Sequence, residues 1–274
     1  MIEYQQCELG RLCKLRDWIP IEKLDFEGLS SNPNAIRILE QFPKRINWML
    51  LSKNPNAIHL LEKYPEKINW DCLSLNPNAI HLLEDNIDKI NWHYLSQNPN
   101  AIHLIEKYPK NVSYTLASNP NAMHLLRSPL ENQNEDENEN GEEQHHMYYI
   151  SYWELSLNPN PKAIHILEQF PQHIHWDYLS KNPNAIHILE KYPEKINWRW
   201  LSQNPNAIHL LERFKEKINW LWIAHNPSIF EYDYEAMRNR MKPIAEEIIA
   251  NRFHPRNMDK FVSWGFEDFE LDYL

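Results

Sequence analysis

Asn-Pro recurs at a nearly fixed interval along this chain, with the Asn at 32, 54, 76, 98, 119, 158, 182, 204 and 226. The steps are 22, 22, 22, 21, 39, 24, 22 and 22 residues. A period of that size marks a tandem array in which each unit buries its apolar face only by stacking on a neighbour. The step of 39 holds one unit plus an insert, and the step of 24 holds Asn160-Pro161-Lys162 where other copies have a single Asn.

Each unit reads as two short helices. Asn54 suits an N-cap and Pro55 the first helical position. Ala57, Ile58, Leu61 and Tyr64 then mark one apolar face, and Pro65 ends the helix. The second helix starts at a column of capping residues: Asp25, Asn47, Asn69, Asn91, Ser113, Ser151, His175, Asn197 and Asn219. An aromatic follows each cap and a Leu or Ile lies three residues beyond it, as in Trp70 and Leu73. A leucine-rich repeat shares the period, but Asn78 stands where it needs Leu. The residue between the Ser and the Asn of each unit (Ser31, Lys53, Leu75, Gln97, Lys181, Gln203) breaks strand alternation.

Composition agrees with helices. The chain has 4 Gly among 274 residues, and Val and Thr are almost absent, whereas β-rich folds and Gly-rich phosphate loops draw on these residues. The expected fold is all-α: a right-handed α-solenoid of about nine helix-turn-helix repeats, extended as a curved rod about 70–90 Å long. Residues 1–24 are expected to cap its N-terminal end. Residues 25–230 hold the repeats, with an acidic disordered insertion at about 128–147. Residues 231–274 supply a helical C-terminal cap and an acidic-aromatic tail.

The formal charge is −10, and removing the seven acids between Glu131 and Glu143 leaves the rest near −3. A body without clustered Lys and Arg is disfavoured as a nucleic-acid binder. Three cysteines without a C-x-x-C pair read as reduced thiols in an intracellular protein. Neither a signal peptide nor a membrane span is evident, so the chain is expected not to be secreted and to have no membrane partner.

Tandem units of the form Asn54-Pro55-Asn56-Ala57-Ile58-His59-Leu60-Leu61-Glu62, then Pro65-Glu66-Lys67-Ile68-Asn69-Trp70 and Leu73-Ser74, resemble short repeats in many uncharacterised proteins of giant amoeba-infecting DNA viruses. The resemblance covers about residues 25–230. The ending Phe253-His254-Pro255-Arg256, Asp259-Lys260-Phe261 and Gly265-Phe266 is also similar to that of such proteins. It implies a viral protein acting in host cytoplasm or packed in a virion, and carries no activity with it.

His59, His81, His103, His124, His165, His187 and His209 form a column, with Glu three residues on in most units. No unit supplies three or four metal ligands, so the column is read as a structural His–Glu ladder between units, with no metal and no cofactor. Ser, His and Glu recur together too often to be one nucleophilic constellation, so no catalytic residue is assigned and no small-molecule substrate is expected. Trp48, Trp70, Trp92, Trp176, Trp198 and Trp220 are read as core between units. Columns that vary between units are the candidates for protein-partner contact: Tyr94, Asp177, Tyr178, Arg199, Trp200 and Trp222.

Overall fold

A computed structural model describes residues 13–127, 148–149 and 151–252. The acidic insertion and the C-terminal tail motifs lie outside them. The chain divides into two units, 1–231 and 232–274.

The first unit is a row of helical repeats with consecutive second helices in contact. Asn-Pro opens a single 3-10 turn in four copies, as at Pro55–Ala57, and a plain turn in four others, and in most copies an α-helix such as Ile58–Lys63 follows. The Asn54 Oδ1 accepts from the Asn56 N–H at 3.0 Å, which caps that turn. In the copy with the two-residue insertion, turn and helix merge into one helix, Pro161–Gln169, capped by Asn160. The second helices are shorter, as in Trp70–Ser74, and end where the next Asn-Pro begins. Their expected caps accept through the side chain at Asp25, Asn47, Asn69, Asn91, Ser113, Asn197 and Asn219, but not at Ser151 or His175.

Units are joined by buried polar columns as much as by apolar ones. Every ladder Asn sends both amide hydrogens into the preceding unit. Asn54 donates to the Ser30 carbonyl at 3.0 Å and to the Asn32 carbonyl at 2.9 Å. Asn76, Asn98, Asn119, Asn158, Asn182, Asn204 and Asn226 repeat the pattern. Burying an amide is tolerable only when its hydrogen-bonding capacity is used, and these side chains use it on three sides. The helix-end Ser adds a further link: Ser52 Oγ donates to the Trp70-column carbonyl of its own helix, Trp48, and accepts the Asn69 N–H of the next unit at 2.9 Å.

The row closes on itself. Asn32, in the first unit, donates to the Ala224 and Asn226 carbonyls at 2.9 Å each, and Asn34 donates to the Pro227 carbonyl at 3.0 Å. These are the bonds that Asn54 and Asn56 make to their own predecessor. The first and ninth second-helices, Phe26–Ser30 and Trp220–Ile223, also touch. The curved rod expected from the sequence is therefore a ring of nine units, and the row has no open end to cap. A contour of about 70–90 Å at 8–10 Å per helix becomes its circumference, with a mean radius of about 11–14 Å.

Residues 13–24 lie at the seam. Strand Cys13–Leu15 pairs with Phe230–Tyr232, at whose start the ninth unit ends. Arg16 N–H donates to the Ile229 carbonyl, its Nε donates to the Ser228 carbonyl, and its guanidinium lies 3.3 Å from Glu231. Gly28 permits the close approach: a Cβ there would lie 2.8 Å from the Ala224 Cβ and 2.9 Å from the His225 ring.

The core runs around the ring. Leu29, Leu51, Leu73, Leu95, Leu116, Leu155, Leu179, Leu201 and Ile223 are fully buried, as is the Ala column from Ala35 to Ala207. The Trp column departs from its expected place: Trp48, Trp70, Trp92, Trp176, Trp198 and Trp220 are half-buried, packed over the core rather than within it. Their outer edges are covered by rings and cations of the next unit, such as Tyr64 against Trp48 at 5.4 Å and Lys89 over Trp70 at 4.4 Å. The Leu is the residue that projects into the joint, which leaves the larger indole at its margin.

Two short β-pairs add to the helices: the seam pair, and Leu126–Arg127 with Tyr148–Tyr149 in parallel register. The latter pair flanks the position of the insert, and the Asn ladder continues past it, since Asn158 bonds the Ala117 and Asn119 carbonyls. The second unit contains the helix Tyr234–Arg252, with Pro243 inside it.

Candidate functional site

The second helices place the variable columns side by side. Residues three positions past each cap form a run of touching rings over the last units. Tyr178 meets Trp200 at 5.9 Å, Trp200 meets Trp222 at 5.7 Å, and Trp222 stacks on His225 at 5.3 Å. Trp153 extends the run, stacked on His175 at 4.8 Å and tilted against Tyr178 at 5.4 Å. Arg199 lies over Trp222 at 4.8 Å, a cation–π geometry. Of the six variable-column candidates, the structure thus gathers Tyr178, Arg199, Trp200 and Trp222. Asp177 is drawn into a joint, accepting from the Asn197 amide at 2.7 Å. Tyr94 lies apart, against His93 at 5.3 Å. Trp153 and His225 join the run without having been singled out, although their positions in columns that vary were the available signal, and His175 joins it from the cap column.

The fixed His column lies on the exterior. His81 is 3.3 Å from Glu62, His103 is 2.8 Å from Glu84, His187 is 3.1 Å from Glu168 and His209 is 3.4 Å from Glu190. His59 stands 3.6 Å from Glu40 in the same way. These His therefore pair with the Glu of the preceding unit, 19 residues back; the pairs are exposed except for the half-buried His59–Glu40, and His165 instead meets Gln169. Exposed pairs of this kind contribute little each, about 0–1 kcal/mol. Among the described residues no group of three His, Cys, Asp or Glu could hold a metal ion.

The column just before the ladder Asn carries the ring's unusual electrostatics. Lys53, Lys181 and His225 belong to the second, seventh and ninth units, yet each of the two lysines acts on His225, and Lys53 acts on Lys181. This mutual influence joins units that are not neighbours along the row. Burial pushes the Lys181 ammonium down to about 8, and the Lys53 charge pushes the same way. Lys181 is nonetheless an exposed residue, so solvent screens part of that penalty. Burial also lowers Lys53. His225 is driven to about 4, first by burial and then by Lys53 and Lys181, with Asp25 opposing. At neutral pH it is an uncharged imidazole.

Among the described residues no helix is long and apolar enough to cross a membrane. Compared with models of protein families, with curated proteins and with solved structures, the chain matches none.

Proposed function

We propose that this chain is a non-enzymatic protein-protein interaction scaffold, in which fixed columns hold the ring and variable columns select the partner. The observation that carries the reading is the division of labour between columns. The ladder asparagines spend both amide hydrogens on the joints. Tyr178, Arg199, Trp200 and Trp222 instead form a continuous aromatic and cationic run, a composition typical of binding hot spots. The viral setting suggested by the repeat motif makes the partner a host or viral protein.

The test compares two variants in affinity capture with quantitative mass spectrometry, followed by titration of the captured protein. Y178A/R199A/W200A is expected to weaken binding by more than about 1 kcal/mol. H59Q/H81Q/H103Q is expected to bind almost normally, with circular dichroism confirming that both are folded. A folded His variant that no longer binds, beside a normal aromatic variant, would assign the partner to the exterior ladder. A structural virion or assembly role is the second reading. It requires ordered oligomers in solution, which light scattering reads directly.

A further inference from the structure

We propose that two copies of this chain join antiparallel through the helix Tyr234–Arg252, along an apolar stripe that the helix keeps exposed. This goes beyond the partner-binding reading and does not depend on it.

The stripe follows from spacing. Asp233 starts the helix, its carboxylate accepting the Ala236 N–H at 3.0 Å. Tyr234, Met237, Met241, Ile244 and Ile248 then follow at alternate steps of three and four. These are the a and d positions of a heptad, and Ile249 widens the same face. Tyr234 is 72% exposed, Met241 56%, Ile244 47%, Ile248 57% and Ile249 55%. The polar side carries its own pair, Lys242 and Glu246 at 3.9 Å. Pro243 falls opposite the stripe, so its ring does not interrupt the apolar row.

Area and charge name the occupant. At those exposures the five residues leave about 600 Å² of accessible surface, the upper end of what a monomer exposes in one apolar patch. Two copies would bury about 1,200 Å², the lower end of stable interfaces. Arg238, Arg240 and Lys242 lie in the first half of the helix, and Glu246 and Glu247 in the second. Antiparallel pairing lays the basic half against the acidic half. It sets Met237 against Ile248 and Met241 against Ile244 of the second copy, and brings Arg240 and Glu247, both at g positions, to one edge. Parallel pairing would set the basic halves side by side. The contact is two-fold symmetric and closes at two copies. A lipid surface is the other occupant that suits an amphipathic helix, but it favours an excess of Lys and Arg. Here Arg238, Arg240 and Lys242 are balanced by Glu235, Glu246 and Glu247, so charge favours the second copy.

The full chain is followed by sedimentation velocity and light scattering from about 1 to 100 μM. A monomer–dimer equilibrium is expected, with a dimer of twice 33.1 kDa and no larger species. M241E/I248E is expected to raise the dissociation constant about tenfold or more. Both positions are already exposed in the single chain, so its circular dichroism should match the parent. N239E, on the polar side, should change nothing. R240E and E247R should each weaken the dimer several-fold, and R240E/E247R should restore it. Y178A/R199A/W200A should dimerise as the parent does, so this inference and the partner-binding reading fail separately. The proposal fails if the parent is monomeric at about 100 μM, if M241E/I248E dimerises as the parent does, or if the charge swap associates no better than its single variants. A monomer captured by vesicles of phosphatidylcholine and phosphatidylserine, and released from them by M241E/I248E, would assign the stripe to a lipid surface instead.

Discussion

The Asn32 side-chain amide donates to the Asn226 carbonyl at 2.9 Å, across 194 positions of sequence. The bond is the same in kind as the one between Asn54 and the Asn32 carbonyl, 22 positions apart. The seam is thus built from the repeat's own joint, apart from one missing link. Ala224 stands where most units have the Ser that accepts the next N–H, and Ala117 makes the same substitution beside the insert. At these two joints Arg16 and the short β-pairs supply other connections.

Gly28→Leu should destabilise the first unit by about 1–3 kcal/mol, because its side chain would enter the space held by Ala224 and His225. Helix propensity alone argues the opposite sign, since Gly is the poorer helix former. Chemical denaturation gives the free energy, and small-angle scattering reads whether the ring opens. A more stable, equally compact variant would show that the seam tolerates a larger neighbour.

Asn204→Ala should cost about 2–4 kcal/mol, because it deletes two donor bonds and leaves the Ser180 and Asn182 carbonyls buried. Asn206→Ala, which loses one bond to the Pro183 carbonyl at an exposed position, should cost about 1 kcal/mol or less. Urea denaturation of the pair decides between a ladder that holds the ring and one that merely accompanies it.

Leu73→Ala should be the most damaging of three apolar truncations, at about 2–5 kcal/mol, because Leu73 is fully buried. Trp70→Ala, at a half-buried ring under Lys89, should cost less, about 1–3 kcal/mol. Trp200→Ala should cost least in stability. Thermal and urea melts that place Trp70 above Leu73 would return the indole column to the core.

Acid should weaken the ring through His225. Its folded value of about 4 lies below the ordinary 6.5, so the unfolded chain takes up the proton first as pH falls. Stability is expected to decline from about pH 6.5 down to about 4, by up to about 3 kcal/mol. His225→Gln should flatten that slope in urea titrations at stepped pH. Lys181 acts in the alkaline range: its folded value of about 8 lies below 10.5, so stability should rise with pH between those values, and Lys181→Gln should remove the rise.

Much of the local structure is legible in the sequence because it is set by neighbours within one unit. Asn69 and Asn197 cap the helices they were expected to cap. Closure was not legible, because the turn at each joint is fixed by how closely the Asn, Ser and Ala columns let helices approach, and periodicity carries no angle. Gly28 was the available sign, a small residue where other units have a larger one. The His–Glu pairing was visible as two columns, but the partner proved to be the preceding unit's Glu. Lys53 and Lys181 were visible only as members of a column that varies, and the influence of one on the other follows from the closure of the row.

Closure changes how the array must come apart. A linear array can fray from either end, giving up one joint at a time with each terminal unit. Here the unit of Asn32 is held by neighbours on both sides, so releasing any unit breaks two joints, and the first opening is the hardest. Amide exchange should therefore be nearly uniform around the circle, with local opening concentrated at the Ala117 and Ala224 joints.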